Sequence, residues 1–374
     1  MKKIIFIWIA AISLGSALFM ACKKQEPVAK NNEDKPNLDY SYNYEAALLG
    51  LDSVTGHIVT NAGARLGRAL FYDKKLSQNN TISCASCHKQ EFAFADNLSF
   101  SDGFNGGKTG RNSMTIVNAV NSQGFFWDNR TIRLEDMVLQ PIRHQVEMGL
   151  ESSEFLVKKL NATSYYPQLF QEAFGSTSIS KEAIGKALAQ FIYSMFNVNS
   201  KADKANVLNG GWNVNTGILT SEEQTGASLF QSIGCANCHS GRNLRGWNDV
   251  GFENIGLDAV YTDKGMGSLL SDPAMDGVFK IPSLRNVGLT APYMHDGRYK
   301  TLEEVVEHYN SGIVFSPTLS YQLRKHDPIT YQPLDEAVTF NLTDENKKCL
   351  VAFLKTLTDY SLVADTKFSN PYKN

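Results

Sequence analysis

This sequence of 374 residues lacks an excess of positive or negative charge. Its 36 Lys and Arg face 38 Asp and Glu, for a formal net charge of -2. Nucleic acid is held largely by a basic field, so it is not expected as a partner. Sustained alternation of apolar and polar residues is also lacking, which argues against a fold built on strands. We therefore predict a mainly α-helical, loop-rich fold.

The apolar run near the N-terminus, from Ile4 to Met20, is slightly short for a membrane-spanning helix. It follows Lys2 and Lys3 and ends at Cys22, a pattern that resembles a bacterial lipoprotein signal. We predict such a signal over residues 1–22, with an uncleaved anchor and an ordinary secretory signal as alternatives. Each alternative predicts a periplasmic protein that meets the membrane only through its N-terminal lipid or anchor.

Residues 23–45 are rich in Lys, Asn, Glu and Pro without periodicity, which predicts a flexible tether. The remainder contains a degenerate repeat. Gly67-Arg-Ala-Leu-Phe71 and Gly226-Ala-Ser-Leu-Phe230 each precede a loop that holds a pair of cysteines. We therefore predict two related domains, over residues 46–215 and 216–374.

Several helix starts are visible in the sequence. Thr220 to Glu223 and Thr301 to Glu304 fit the capping box, in which a hydroxyl and a carboxylate satisfy free backbone donors. Ser180 is a candidate cap for a helix with apolar residues at spacings of three and four. That stripe is predicted to face the core and comprises Ile184, Leu188, Phe191, Ile192 and Met195.

The two cysteine pairs are Cys84-Ala-Ser-Cys87-His88 and Cys235-Ala-Asn-Cys238-His239. Two thiols at this spacing add to the two vinyl groups of one haem and leave the adjoining imidazole beneath the iron. Zinc would need the two pairs much closer together or a matching His pair. We therefore predict two covalent haem c groups with His88 and His239 as proximal ligands.

Three further motifs are Phe126-Trp-Asp-Asn-Arg130, the run from Gln140 to Gly149, and the run from Phe279 to Arg298. Together with the haem motifs, residues 60 to 312 resemble the bacterial di-haem cytochrome c peroxidase family, which includes the MauG-type enzymes. The resemblance implies two cytochrome c-like haem domains joined by long loops. It also implies that hydrogen peroxide reacts at the N-terminal haem, while electrons from a small cytochrome c or cupredoxin pass through the C-terminal one.

The resemblance assigns roles to single residues. Trp127 takes the position of the tryptophan between the haems, and Pro141 and Glu147 take those of the distal-pocket proline and acid. Met137 stands where the family has a distal glutamine. For Glu147 the alternative is a surface acid paired with Arg143.

A calcium site between the domains is also implied by the resemblance. Its ligands would come from Asn112, Thr290 and Pro292, the last two through backbone carbonyls. Hard oxygen ligands suit calcium, and three protein ligands would leave the remaining positions to water.

The resemblance puts Phe104 where the family has a displaceable distal histidine. Because a phenyl ring cannot bind iron, the first haem is expected to keep an open position, as in MauG-type members. His144 is the alternative ligand.

Tyr309 is the predicted sixth ligand of the second haem. Helix periodicity puts it on one face with Leu302 and Val305, and MauG-type members carry tyrosine where others carry methionine. Met294 and His308 are the alternatives, and a packed core tyrosine is a third.

Three functions remain open on the sequence alone. They are a hydrogen peroxide-reducing cytochrome c peroxidase, a MauG-like enzyme that oxidises residues of a partner protein, and a non-enzymatic electron-transfer cytochrome. The sequence does not decide between a monomer and a homodimer.

Overall fold

The computed structural model describes residues 35–45, 56–207, 217–240 and 251–372. The predicted signal at 1–22, residues 23–34 of the predicted tether and the predicted domain boundary near residue 215 lie outside these ranges. The described part is rich in helices, as predicted. Within it, no helix combines the length and the apolar composition that a bilayer span requires.

The helices of the first half are short apart from two. They are α1 (Asn61–Tyr72), α2 (Cys84–Cys87), α3 (Leu134–Met137), α4 (Gln140–Arg143), α5 (Ser153–Asn161), α6 (Tyr166–Phe174), α7 (Lys181–Ser194) and α8 (Lys201–Lys204).

The second half adds six helices and two small antiparallel sheets within the described ranges. The helices are α9 (Ser221–Ser232), α10 (Cys235–Cys238), α11 (Met266–Leu270), α12 (Leu302–Glu307), α13 (Asp344–Thr356) and α14 (Ser361–Ala364). Strand β1 (Phe252–Glu253) pairs with β2 (Phe279–Lys280), and β3 (Arg324–His326) pairs with β4 (Pro333–Ala337).

Helices α1 and α7 form the centre of the first hydrophobic core. Both start at a side-chain cap, since Thr60 accepts a hydrogen bond from the backbone N–H of Gly63 and Ser180 accepts one from that of Ala183. Gly67 lies where α1 crosses α7, and a Cβ there would overlap the carbonyl oxygen of Ala187. The predicted apolar stripe of α7 is buried in this core, which confirms it.

Helices α9 and α13 repeat this arrangement in the second core. The predicted capping box of Thr220 and Glu223 starts α9. Gly226 lies against the carbonyl oxygen of Cys349 on α13, so a Cβ would clash there as well. The Cys349 side chain is buried. The sequence repeat therefore corresponds to two crossed helix pairs. In each pair, the first helix is followed in sequence by a short cysteine helix.

Both ends of the described chain pack on the first core. Tyr44 is fully buried there, although it falls within the predicted tether. Leu362 and Phe368 belong to the same core, although they fall within the predicted second domain, residues 216–374. Buried Arg68 fixes this tail by donating hydrogen bonds to the carbonyl oxygens of Thr366 and Ser369. The first core therefore contains residues from both ends of the described chain.

Candidate functional site

The first cysteine helix, α2, positions His88 at its C-terminal end. His88 Nδ1 donates a hydrogen bond to the carbonyl oxygen of Phe94 at 2.9 Å. Burial lowers the pKa of His88, which favours the neutral imidazole. With its proton on Nδ1, the ring keeps the lone pair of Nε2 for a metal, the usual arrangement of a histidine ligand. Cys84 and Cys87 are free thiols at the two ends of the single helical turn that precedes His88, so a covalent haem fits here.

Cys235, Cys238 and His239 line a cavity of about 300 Å³ in the second half. Most of the remaining wall is apolar, including Leu302 and Val305. Burial raises the pKa of Cys235 to about 12 and that of Cys238 to about 11. Within the described ranges, no group of three or more His, Cys, Asp or Glu side chains is arranged to hold a metal ion. An apolar group held by two uncharged thioethers therefore fits this cavity better than a zinc ion.

Tyr309 lines the same cavity, as the helix periodicity predicted. It follows α12 in a single π-helical turn, His308–Gly312. Its hydroxyl makes no hydrogen bond to any residue in the described ranges, and burial raises its pKa. Ferric iron is a strong enough Lewis acid to bind the deprotonated form of such a phenol. Met294 also lines this cavity.

His308 is unsuited to bind iron, because both of its ring nitrogens have partners. Nε2 donates to the carbonyl oxygen of Ile255 at 3.0 Å, and Nδ1 lies 3.1 Å from the hydroxyl of Tyr299. The ring is buried in this structural role. Of the two alternative ligands considered for the second haem, only Met294 faces the cavity.

Glu147 lies in a tight turn that follows α4. Its carbonyl oxygen accepts a hydrogen bond from the backbone N–H of Phe104 at 2.9 Å, and Met148 donates to the carbonyl oxygen of Pro141 at 3.2 Å. The carboxyl pairs with His144, at 3.7 Å between Oε1 and Nδ1, and not with Arg143. The turn therefore brings Glu147, Pro141 and Phe104 together.

The Glu147 carboxyl is electrostatically poised for proton exchange. Burial raises its pKa, and the opposing effects of His144 and Arg130 are smaller. Its charge in turn contributes to the raised pKa of Cys87, so the carboxyl lies close to the first haem attachment point. A carboxyl with a raised pKa beside a candidate haem is suited to accept and return a proton.

Phe104 and His144 occupy opposite sides of this turn. The Phe104 ring packs directly against Gly149. The His144 side chain is 53% exposed and borders a polar surface groove. This placement makes His144 a neighbour of Glu147 and gives no support to the alternative that it binds iron. Met137 ends α3 and is partly buried against the first core.

Trp127 is fixed between the two halves. Its indole Nε1 donates to the carbonyl oxygen of Asn112 at 2.9 Å, and its own carbonyl oxygen accepts from the backbone N–H of Lys280 at 2.7 Å. The indole borders the second cavity and lies 6.5 Å from the ring of His295. Trp127 thus reaches from the first half to the wall of the second haem site.

Sequence reasoning missed the ion pairs beside Trp127. Arg111 donates to both carboxylate oxygens of Asp263, at 2.6 and 2.8 Å, and to Asp128 at 2.7 Å. Asp128 also pairs with Arg130 at 2.9 Å. Ion pairs therefore join residues of the two halves close to Trp127. The only sequence signal was the charge pattern inside the Phe126–Arg130 motif, which does not identify partners.

Asn112, Thr290 and Pro292, the predicted calcium ligands, all border the second cavity. The Asn112 side chain is buried and donates through Nδ2 to the carbonyl oxygen of Leu98. Among the described residues, no donor reaches Asn112 Oδ1 or the carbonyl oxygens of Thr290 and Pro292. Uncharged oxygen atoms without donors are the kind of ligand that a hard cation prefers.

Comparisons with known proteins agree with this arrangement. A family model for di-haem cytochrome c peroxidase matches residues 61–210. MauG of Methylorubrum extorquens is 33% identical over 78% of this chain and 77% of its own length. Cytochrome c551 peroxidase of Nitrosomonas europaea is 32% identical over 83% and 87%.

Solved structures give the same result. A MauG-like protein associated with microbial copper homeostasis is 33% identical, with a TM-score of 0.72 over 85% of this chain and 95% of its own. The di-haem peroxidase BthA of Burkholderia thailandensis, at 21% identity and a TM-score of 0.66, shares the fold over 84% of this chain and 90% of its own. This chain belongs to the family of di-haem cytochrome c peroxidases and MauG-type oxidoreductases.

Proposed function

We propose that this protein reduces hydrogen peroxide to water with electrons from a small cytochrome c or cupredoxin. When bound, haem c supplies the iron that reacts with peroxide and the redox centre that accepts electrons. The observation that supports this function best is Glu147. Its carboxyl is partly buried, has a raised pKa and lies near Cys87, where the first haem would be attached.

In this proposal Glu147 moves the protons. Its carboxylate takes a proton from one oxygen of peroxide and returns it to the other. General acid–base catalysis of this kind increases a rate by a factor of roughly 10² to 10⁴. Pro141 holds the turn, because its carbonyl oxygen accepts the backbone N–H of Met148. Phe104 cannot bind iron, so peroxide should reach the fully oxidised protein without prior reduction.

Trp127 is the proposed electron relay between the halves. Its hydrogen-bond acceptor is a backbone carbonyl oxygen and not a carboxylate, so oxidation of the indole has no strong base beside Nε1 to take its proton. The indole is held by backbone contacts to both Asn112 and Lys280, which keeps its position fixed during electron transfer.

Asn112, Thr290 and Pro292 are the proposed calcium ligands, because all three line the second cavity. Among the described residues, no donor reaches Asn112 Oδ1 or the other two carbonyl oxygens. Atomic emission on the purified holoprotein should find bound calcium. For localisation, the N-terminal sequence supports a periplasmic protein tethered through Cys22.

The test is rapid mixing of the fully oxidised holoprotein with hydrogen peroxide, followed by steady-state turnover with reduced donors. We expect an immediate spectral change and donor-dependent peroxide loss. A spectrum that stays unchanged until one electron is added would contradict the role of Phe104. Peroxide consumption without any donor oxidation would contradict the peroxidase.

A MauG-like reaction is the second candidate, in which residues of a partner protein are oxidised. It is favoured by Tyr309 in the second cavity and by Phe104 beside Glu147. Peroxide-dependent modification of a partner protein, detected by mass spectrometry while small donors stay reduced, would select it over the peroxidase.

A further inference from the structure

His144 contacts Glu147 on one side and water on the other. Its Nδ1 lies 3.7 Å from Glu147 Oε1 and, in the neutral ring, accepts a hydrogen bond from the backbone N–H of Glu147 at 3.4 Å. The side chain of His144 is 53% exposed, whereas that of Glu147 is 26% exposed. The imidazole is therefore the more accessible member of the pair.

The backbone of the turn holds the two side chains together. The N–H of His144 donates to the carbonyl oxygen of Gln140 at 3.0 Å, and the carbonyl oxygen of His144 accepts from Gly149 at 2.9 Å. These two hydrogen bonds fix the backbone before and after the pair. The backbone of the turn thus keeps His144 and Glu147 adjacent, while the exposed His144 ring stays free to rotate.

His144 borders a surface groove of about 630 Å³, to which α3 with its N-cap, α4 and α7 contribute charged side chains. They are Arg133, Glu135, Asp136, Arg143, Lys181, Glu182 and Lys186. Arg133 lies 3.5 Å from Asp136 and Lys181 lies 3.8 Å from Glu182, so charges of opposite sign largely cancel there. Besides His144, the charged group that acts on Glu147 is Arg130. The groove is polar enough to admit water to the imidazole.

Reduction of one hydrogen peroxide molecule to two water molecules consumes two electrons and two protons. Glu147 can shift a proton between the two oxygen atoms, but the net protons must come from solvent. An imidazole is the side chain that most readily exchanges protons with water near neutral pH. The half-exposed ring beside Glu147 meets that requirement.

We propose that His144 passes protons from the groove to Glu147. The imidazolium gives its Nδ1 proton to Glu147 Oε1, which leaves a neutral imidazole and a carboxylic acid. Glu147 then gives this proton to an oxygen atom of peroxide, and the ring turns to the groove to be protonated again. His144 acts through Glu147 and does not touch peroxide. The inference rests on the proposed function, since it extends the role of Glu147.

The first test measures the pair without turnover. Infrared difference titration of the full-length holoprotein follows the carboxyl band of Glu147, which Glu147→Gln identifies by its loss. In His144→Gln the midpoint should move to higher pH, because a nearby positive charge no longer stabilises the carboxylate. The matched control, Arg143→Gln, removes a charge from the same groove and should leave the midpoint unchanged. An unchanged midpoint in His144→Gln would overturn the inference.

The second test measures proton delivery. At low buffer concentration His144→Gln should slow peroxide reduction by on the order of 10². Increasing HEPES at constant ionic strength should restore the rate, since the buffer acid replaces the lost donor and is too bulky to bind iron. Wild type and Arg143→Gln should not respond to HEPES. A slow variant that HEPES cannot restore would assign His144 a merely structural role and overturn the inference.

The two proposals fail differently. If the wild-type protein reduces no peroxide, the proposed function falls, and the infrared midpoint alone then decides whether His144 and Glu147 share a proton.

Discussion

The two halves of the described chain share an internal frame and differ in the reactive side chains that we propose for them. In each half, a helix with Leu-Phe near its C-terminal end crosses a later helix at a glycine, and a pair of phenylalanine rings packs beside the crossing. The Phe71 and Phe191 rings are 5.4 Å apart, and those of Phe230 and Phe353 are 5.3 Å apart. The two helix crossings therefore have closely similar packing.

The two halves differ in the side chains that we propose to act at the haems. The first domain presents a carboxyl group, Glu147, whose pKa is raised and which has a titratable neighbour, His144. The second presents the phenol of Tyr309 in a largely apolar cavity. A carboxyl group can carry protons, whereas a phenol facing iron can fill a coordination position. One frame therefore supports two chemistries through the residues placed on a single face.

Removing the carboxyl from the first domain is expected to have the largest effect. Glu147→Gln should retain both haems but slow the reaction with peroxide by on the order of 10² or more, because an amide cannot carry the proton. Stopped-flow absorbance of the fully oxidised protein measures this rate. Glu151→Gln, an exposed neighbour, is the control and should react like wild type. Equal rates in the two variants would move the proton carrier elsewhere.

The pH profile supplies a second readout of the same substitution. Glu147 must be ionised to accept a proton, and burial raises its pKa above the ordinary glutamate value. The wild-type rate should therefore fall with acid at a higher pH than an exposed glutamate would give. Glu147→Gln should lack this acid limb.

Changing the phenol of the second domain should alter ligand binding there. Tyr309→Phe should open the second haem to cyanide, while Tyr309→Met should raise its reduction potential and create a near-infrared sulfur-to-iron band. Optical titration with cyanide and potentiometry measure these changes. Tyr299→Phe is the matched control, since its hydroxyl contacts His308 and lies outside the cavity wall. An unaltered low-spin spectrum in Tyr309→Phe would leave Met294 as the ligand to test.

Filling the two helix crossings should produce the smallest and most similar effects. Alanine returns about 1 kcal/mol of helix propensity, but its Cβ would overlap a backbone carbonyl oxygen at either Gly67 or Gly226. We expect each Gly→Ala variant to lose about 1–3 kcal/mol of unfolding free energy, measured by guanidinium denaturation. Gly110→Ala, where a Cβ meets open space, is the control. Unequal losses at the two crossings would weaken the comparison.

Local chemistry made part of this structure readable from the sequence. The haem motifs and the caps at Thr220 and Thr301 depend on residues a few positions apart, and periodicity alone put Tyr309 on the cavity side of its helix. The family resemblance pointed to Glu147, Pro141 and Phe104 as members of one site.

Contacts between distant residues were not readable. Nothing local links Arg111 to Asp263, and nothing in the polar composition of residues 35–45 signals that Tyr44 is buried. The surroundings of His308 were also unexpected, because helix phase turned it away from Tyr309 but did not reveal its partners at Tyr299 and Ile255. Such contacts arise only when the whole chain has packed.

Residues 366–369 impose an order on folding. Arg68 lies in the first helix, yet the carbonyl oxygens that accept from its guanidinium belong to Thr366 and Ser369. Tyr72 likewise donates to the carbonyl oxygen of Phe368. Until residues 366–369 dock, burial of the two donors would leave them without acceptors, at a cost of about 1–3 kcal/mol each. The first core is therefore complete only after residues 366–369 have packed on it.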